Sequence, residues 1–229
     1  MNIFYSILLS FSFLFGKTIL YSVEFWGIHS ADITTTYTDT TFDDFAAIKI
    51  HFTTNTTPLV SKLFFVENTY TTIISKENKR LFSFTKNTRQ PELTNTISTY
   101  NKDSTLFYTN NDRPVDILNP NIFTLFYLLQ SDNVKNILNR KIIIEREGLT
   151  YFANISSIKN NDEIIYTLDL LRDNVNDMEP VYEFTDIFTW AVFKPGAKRI
   201  ITVSNDRNII KCEFSSGIIK MKAEAVDIQ

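Results

Sequence analysis

Apolar and polar residues alternate along nearly the whole chain. Such a two-residue period is the mark of strands with one buried face, because successive side chains on a strand point to opposite sides. Tyr21, Val23 and Phe25 alternate with Ser22 and Glu24. Ala46, Ile48, Ile50 and Phe52 share a face opposite Lys49 and His51, and Ile164, Tyr166, Leu168 and Leu170 oppose Glu163, Thr167 and Asp169. Towards the end, Ile219, Met221, Ala223 and Ala225 oppose Lys220, Lys222 and Glu224. Further strands are expected at Ser61 to Val66, Tyr70 to Ser75, Arg80 to Thr85, Lys141 to Glu147, Thr150 to Ile158, Val181 to Val192, Ile200 to Ser204 and Ile209 to Phe214. The Thr-rich run from Thr34 to Thr41 also favours extended backbone. Turn residues such as Asn160-Asn161-Asp162, Lys194-Pro195-Gly196 and Ser216-Gly217 separate these runs. The pattern predicts an all-β, mainly antiparallel fold: a meander curled into a barrel, half-barrel or sandwich.

One segment breaks the period. Asn119-Pro120 reads as a helix start, and Ile122, Phe123, Leu125, Phe126, Leu128 and Leu129 follow before Ser131-Asp132. A helix near 120–131 that is apolar nearly all round must be covered on most sides, so it is expected to plug the concave face of the sheet or one barrel end. With 44% hydrophobic and 21% charged residues, including 20 Phe and 10 Tyr, the chain can bury a large core. No repeat or linker divides it, which makes 17–229 a single β-rich domain. Trp26, Phe123, Phe126, Tyr127 and Trp190 are the aromatics expected to line an apolar interior.

Ile3 to Phe15 is an apolar run interrupted only by Ser and ended by Gly16-Lys17. Its length matches the hydrophobic region of a secretory signal peptide and falls short of the ~20 residues needed to span a bilayer. Residues 1–16 therefore read as a signal peptide, against the alternatives of a buried first strand or an uncleaved anchor. Met1-Asn2 supplies no basic residue, and no Cys follows for a lipid anchor. The expected location is the periplasm or the cell exterior, with no transmembrane span after cleavage. The bias towards Asn, Lys, Ile, Phe and Thr fits an AT-rich bacterial coding sequence.

Several kinds of chemistry recede. A net charge of −3 offers no positive field for nucleic acid. The two histidines, His29 and His51, lie at no metal-ligand spacing from each other or from Cys212, so no metal and no cofactor is expected. Cys212, the sole cysteine, alternates with Ile210 and Phe214 and reads as an inert, apolar-face thiol. No G-x-S-x-G elbow, phosphate-binding glycine loop or H-E-x-x-H motif occurs. Glu145 and Glu147 share a strand face and could form an acid/base pair, but a solvated edge that discourages strand pairing is the stronger expectation. Asn55-Thr56-Thr57 and Asn154-Ile155-Ser156 match the glycosylation acceptor pattern, which a bacterial source would leave unused.

Tyr21-Ser22-Val23-Glu24-Phe25-Trp26-Gly27-Ile28, the stretch Asp112-Arg113-Pro114-Val115-Asp116-Ile117-Leu118-Asn119-Pro120 running into Thr124 to Leu129, and Ser204-Asn205-Asp206-Arg207-Asn208-Ile209-Ile210 carry a resemblance. Together they resemble the exported bacterial proteins grouped as the domain of unknown function 3108 family. The chain departs from that pattern at His29-Ser30 and at Ile210. The resemblance implies an extracytoplasmic, barrel-like β-protein of unassigned role.

Three functions remain. The first is a non-catalytic envelope protein that holds a lipid or other apolar ligand inside a curved sheet. The second is a module that docks an envelope protein. The third is a hydrolase built on the acidic pairs or His29, which requires a cleft where a carboxylate and His29 converge.

Overall fold

The computed structural model describes residues 16–174 and 179–229. The proposed signal segment lies outside the described residues except for Gly16, which opens the first strand. Among the described residues there are fourteen strands in one antiparallel sheet: β1 Gly16–Phe25, β2 Ile28–Phe42, β3 Phe45–Thr56, β4 Glu67–Ser75, β5 Leu81–Gln90, β6 Leu93–Lys102, β7 Thr105–Tyr108, β8 Pro114–Val115, β9 Lys141–Arg146, β10 Leu149–Asn160, β11 Glu163–Arg172, β12 Lys198–Ser204, β13 Ile209–Ser216 and β14 Ile219–Ile228. Two short helices, α1 Ile122–Leu129 and α2 Ile187–Phe193, interrupt it.

The strand order is β8 to β1 and then β14 back to β9, so β1 pairs with both β2 and β14. The sheet curls into a nearly closed barrel. Alternation decides which residues face inward, and the registers carry it from strand to strand: Val23 stands opposite Ala223, Ala223 opposite Cys212, Cys212 opposite Ile201 and Ile201 opposite Tyr166. Odd-numbered strands all run the same way, a consequence of the antiparallel order. The turns that follow them lie at one end, here the upper end, and the turns after even-numbered strands lie at the lower end.

Helix α1 fills the lower interior, as its apolar circumference requires. Asn121 caps it by accepting from the Thr124 N–H at 2.9 Å, and its amide donates to Thr72 Oγ1 of β4 at 3.0 Å. Gln130 ties the other end to the wall, donating to the Tyr37 hydroxyl at 2.7 Å and accepting from Lys17 Nζ at 2.8 Å. Phe123 stands among rings from four elements, with centroids 4.9 Å from Phe52, 4.8 Å from Tyr70, 6.3 Å from Phe84 and 5.8 Å from Phe188.

Two expected strands are replaced by other structure. Val181 to Val192 is a loop followed by α2, because Asp186 accepts from the Thr189 N–H at 3.0 Å and caps a helix whose Phe188, Ala191 and Val192 follow helical spacing. Ser61 to Val66 is a tight turn at Val60–Lys62 and a connecting loop that leads into β4. Strands β6 and β7, in contrast, were not expected: Thr and Asn occupy both faces of β6, and β7 is only four residues long.

Candidate functional site

An apolar cavity of about 130 Å³ lies between the two helices and the wall formed by β1, β2 and β11 to β14. Its origin is visible in the inward row, where Ala223 and Cys212 are small beside Val23, Ile201 and Tyr166 and leave room that the helices do not fill. Tyr21, Phe52, Phe126, Leu168, Phe188 and Ala191 supply the rest of its surface. The polar groups near it are already engaged. Tyr21 donates to the Ile209 carbonyl at 2.9 Å, and the Arg199 guanidinium donates to the carbonyls of Val192, Ala197 and Lys194, closing the C-terminal end of α2. What remains to meet a guest is hydrocarbon, and a cavity of this size lined by such side chains is of the order that admits a benzene-sized group.

A second feature lies where the barrel fails to close. Strands β8 and β9 are the two edges of the sheet, with no ladder between them. Side chains bridge the gap instead. Lys86 of β5 points inward and places Nζ 2.5 Å from Glu147 Oε1 and 2.6 Å from Asp186 Oδ2, all three nearly devoid of solvent contact. Tyr70 donates to Asp186 at 2.6 Å, and Thr185 donates to Glu147 at 3.1 Å. Beside them Tyr108 of β7 donates to Glu145 at 2.6 Å, and the Gly148 N–H does so at 2.7 Å. Backbone contacts reinforce the seam: the Glu145 N–H reaches the Pro120 carbonyl and the Val181 N–H reaches that of Glu147. Gly148 has no alternative here, with φ +85° and the Arg113 side chain where a Cβ would need to be.

This overturns the expectation of a solvated Glu145 and Glu147. They do lie on the last strand of the sheet and its turn, but they are buried in the seam, because the gap beside an unpaired edge must be filled with groups that satisfy one another. Burial raises the Glu145 carboxyl to about 7, with Glu147 adding to the effect and the Tyr108 and Gly148 bonds opposing it. Burial also works against ionisation of Asp186, yet the Lys86 charge and the bonds from Lys86, Thr189 and Tyr70 prevail and hold it below its ordinary value. The two groups give stability opposite slopes. Asp186 contributes above the ordinary carboxylate range and its share is lost as pH falls through and below it. Glu145 contributes most when protonated, and its share is lost as pH climbs from that range towards about 7. Urea unfolding should therefore show greater stability near about pH 5 than near about pH 8, and Glu145→Gln should flatten the alkaline decline.

The five aromatics expected to line the interior take four different placements. Phe126 lines the cavity, Phe123 sits in the aromatic cluster beside it, and Tyr127 faces a separate recess at the lower end with Lys17, Asp39 and Gln130. Trp26 and Trp190 do not line the interior. Trp26 occupies the β1–β2 turn and is 58% exposed, and Trp190 projects outward from α2 at 37%. His29 meets Asp32 at 2.8 Å on the open surface rather than in a cleft. His51 accompanies Lys49 on the outward face, bonded to Thr71, its pKa lowered by partial burial and by Lys49. Cys212 faces the cavity, where burial pushes its thiol up to about 12. Reading the sequence alone missed Lys86 and Asp186; the available signal was that Lys86 shares the inward parity of Phe84 and Thr88.

The fold is that of a known β-barrel-like protein. The chain is similar to the crystal structure of a β-barrel-like protein of domain of unknown function DUF1849 from Brucella abortus, with a TM-score of 0.53 and 8% sequence identity over 94% of this chain and 98% of that one. At that identity the likeness concerns the fold alone. No family model and no curated protein sequence matches the chain. Among the described residues, no helix is long and apolar enough to cross a membrane.

Proposed function

We propose that this chain is an exported, non-catalytic cell-envelope protein that takes an apolar group, such as the end of an acyl chain, into the cavity between its two helices and the barrel wall. The cavity carries the proposal: an apolar, unfilled volume in an otherwise densely packed core is the usual form of a small-ligand site. Export rests on the hydrophobic segment at residues 3–15, and the role as an envelope protein on the resemblance to the domain of unknown function 3108 family, in which we place the chain on the same ground. The absence of a catalytic role is inferred from how the titratable groups are used: the buried carboxylates are engaged by Lys86, Tyr108 and Tyr70, and His29 and His51 lie away from them.

A fluorescent fatty acid titrated into the purified protein should bind with one-to-one stoichiometry. Ala223→Trp, which fills the cavity from its wall, should weaken that binding by roughly tenfold or more while leaving the folded spectrum intact, because an occupied volume excludes the guest. Retention of a stoichiometric acyl mass in native mass spectrometry gives a second readout. Absence of both binding and retained mass would discard the proposal.

A further inference from the structure

The two ends of the barrel differ in chemistry. At the lower end the turns carry charges of both signs, including Asp43-Asp44, Lys76-Glu77, Lys79-Arg80, Lys102-Asp103 and Asp206-Arg207, with single apolar residues such as Phe45 between them. At the upper end, over β1 to β4 and β12 to β14, the connections are apolar. Trp26 and Ile28 project from the β1–β2 turn, Leu59, Leu63, Phe64 and Phe65 from the β3–β4 connection, Ile218 from the β13–β14 turn, and Trp190 from α2. These are the parts of the surface where a soluble chain ordinarily places polar residues.

Lysine is the only charged residue in the turns of this arc, while the carboxylates on the strand ends beneath them are paired, Glu24 with Lys222, Glu67 with Arg89 and Glu213 with Lys211. Residues 26–28, 57–66, 194–198 and 217–220 contain Lys62, Lys194, Lys198 and Lys220 and no carboxylate. The turn carboxylates at this end, Glu92, Asp112 and Glu183, lie on the opposite side, towards the seam. Lys194 Nζ sits 4.4 Å from the centre of the Trp190 ring, and Trp26 Nε1 donates to the Ile218 carbonyl at 2.7 Å, which fixes the two exposed indoles. Trp26 also holds φ at +51° in a two-residue turn with Gly27. That conformation favours Gly, Asn or Asp, the last of which fills the matching turn at Asp43-Asp44, so a tryptophan there is retained against local preference.

We propose that this upper arc docks the protein onto an anionic lipid surface. Aromatic rings and Leu enter the headgroup boundary, while lysines on the same loops keep their charges at the phosphates. Several loops presenting short apolar tips around one end fit a surface better than an extended peptide, which would need a groove or a free strand edge. The arc lies above the walls that enclose the cavity, and the cavity shares Glu213, Phe214, Met221 and Lys222 with a surface recess bordered by Glu24, Trp26, Lys198 and Lys220. Docking does not require that the cavity hold a ligand, so the two proposals can fail separately.

The chain has two tryptophans and both are on the arc, which makes intrinsic fluorescence a direct probe. Mixing the protein with vesicles of phosphatidylcholine and phosphatidylglycerol should shift the emission to the blue and carry the protein with the vesicles on flotation. Phosphatidylcholine alone, or added salt, should weaken both effects. Lys62→Glu combined with Leu63→Asp, at exposed positions, should reduce partitioning roughly tenfold, whereas Phe45→Asp at the lower end should leave it unchanged. Absence of flotation with anionic vesicles, or equal loss from the Phe45 variant, would overturn the proposal. A concentration-dependent dimer that the Leu63 variant dissolves, without vesicle binding, would reassign the arc to a second copy of the chain.

Discussion

Lys86→Met should lower the unfolding free energy by about 3–5 kcal/mol, because it leaves two carboxylates buried beside each other without their cation. Glu147 and Asp186 are almost fully enclosed, so water cannot replace the ammonium. For a chain of this length such a loss corresponds to a fall in melting temperature of roughly 6–20 °C. Two further measurements separate this account from a general packing defect. Acidification that protonates the carboxylates should recover part of the loss, and the triple change Lys86→Met, Glu147→Gln, Asp186→Asn should be less damaging than Lys86→Met alone. Hydrogen exchange should quicken first at the Glu145 and Val181 amides, which bridge the gap between the sheet edges. If Lys86→Met were as stable as the parent, the cluster would have no part in closing the barrel.

Phe123→Ala is expected to have an effect of similar size, about 3–5 kcal/mol. The ring is the meeting point of α1 with β3, β4, β5 and α2, so no single element can move in to fill the space. Denaturant midpoints would measure the loss. Phe123→Leu should recover most of it, since a smaller hole is left and the contacts are dispersive rather than directional. Equal tolerance of alanine and leucine would mean that α1 is loosely held, contrary to its capping at Asn121 and its tie at Gln130.

Where one face is buried and the other wet, the period is plain in the sequence, as it is from Tyr21 to Phe25 and from Ala46 to Phe52. The helix at 122–129 announces itself because a covered helix has no polar side. Strand β6 was hidden by Thr and Asn, which occupy both faces, and β7 by being only four residues long. The segment from Val181 to Val192 misled because β-branched and aromatic residues favour strands, while the cap at Asp186 decided the matter locally. Glu145 and Glu147 were legible as a pair on one face, but not as buried. Their partners are Lys86, Tyr108 and Thr185, far away in the chain and brought near only by barrel curvature, which no local pattern records. The exposed position of Trp26 was signalled by Gly27 after it, a turn cue outweighed by the assumption that large rings belong inside.

In this wall the strand beginning at Gly16 is flanked by its successor on one side and, on the other, by the strand ending at Ile228. Each half of the chain can zip up as a local meander, but the two halves join only once β14 has been made and meets β1. The rate of assembly should therefore be governed by this one encounter of high sequence separation, and slow folding is expected. Until it occurs, the backbone donors and acceptors along residues 19–25 are open to any other extended chain, and self-association in that interval is the natural route to misfolding.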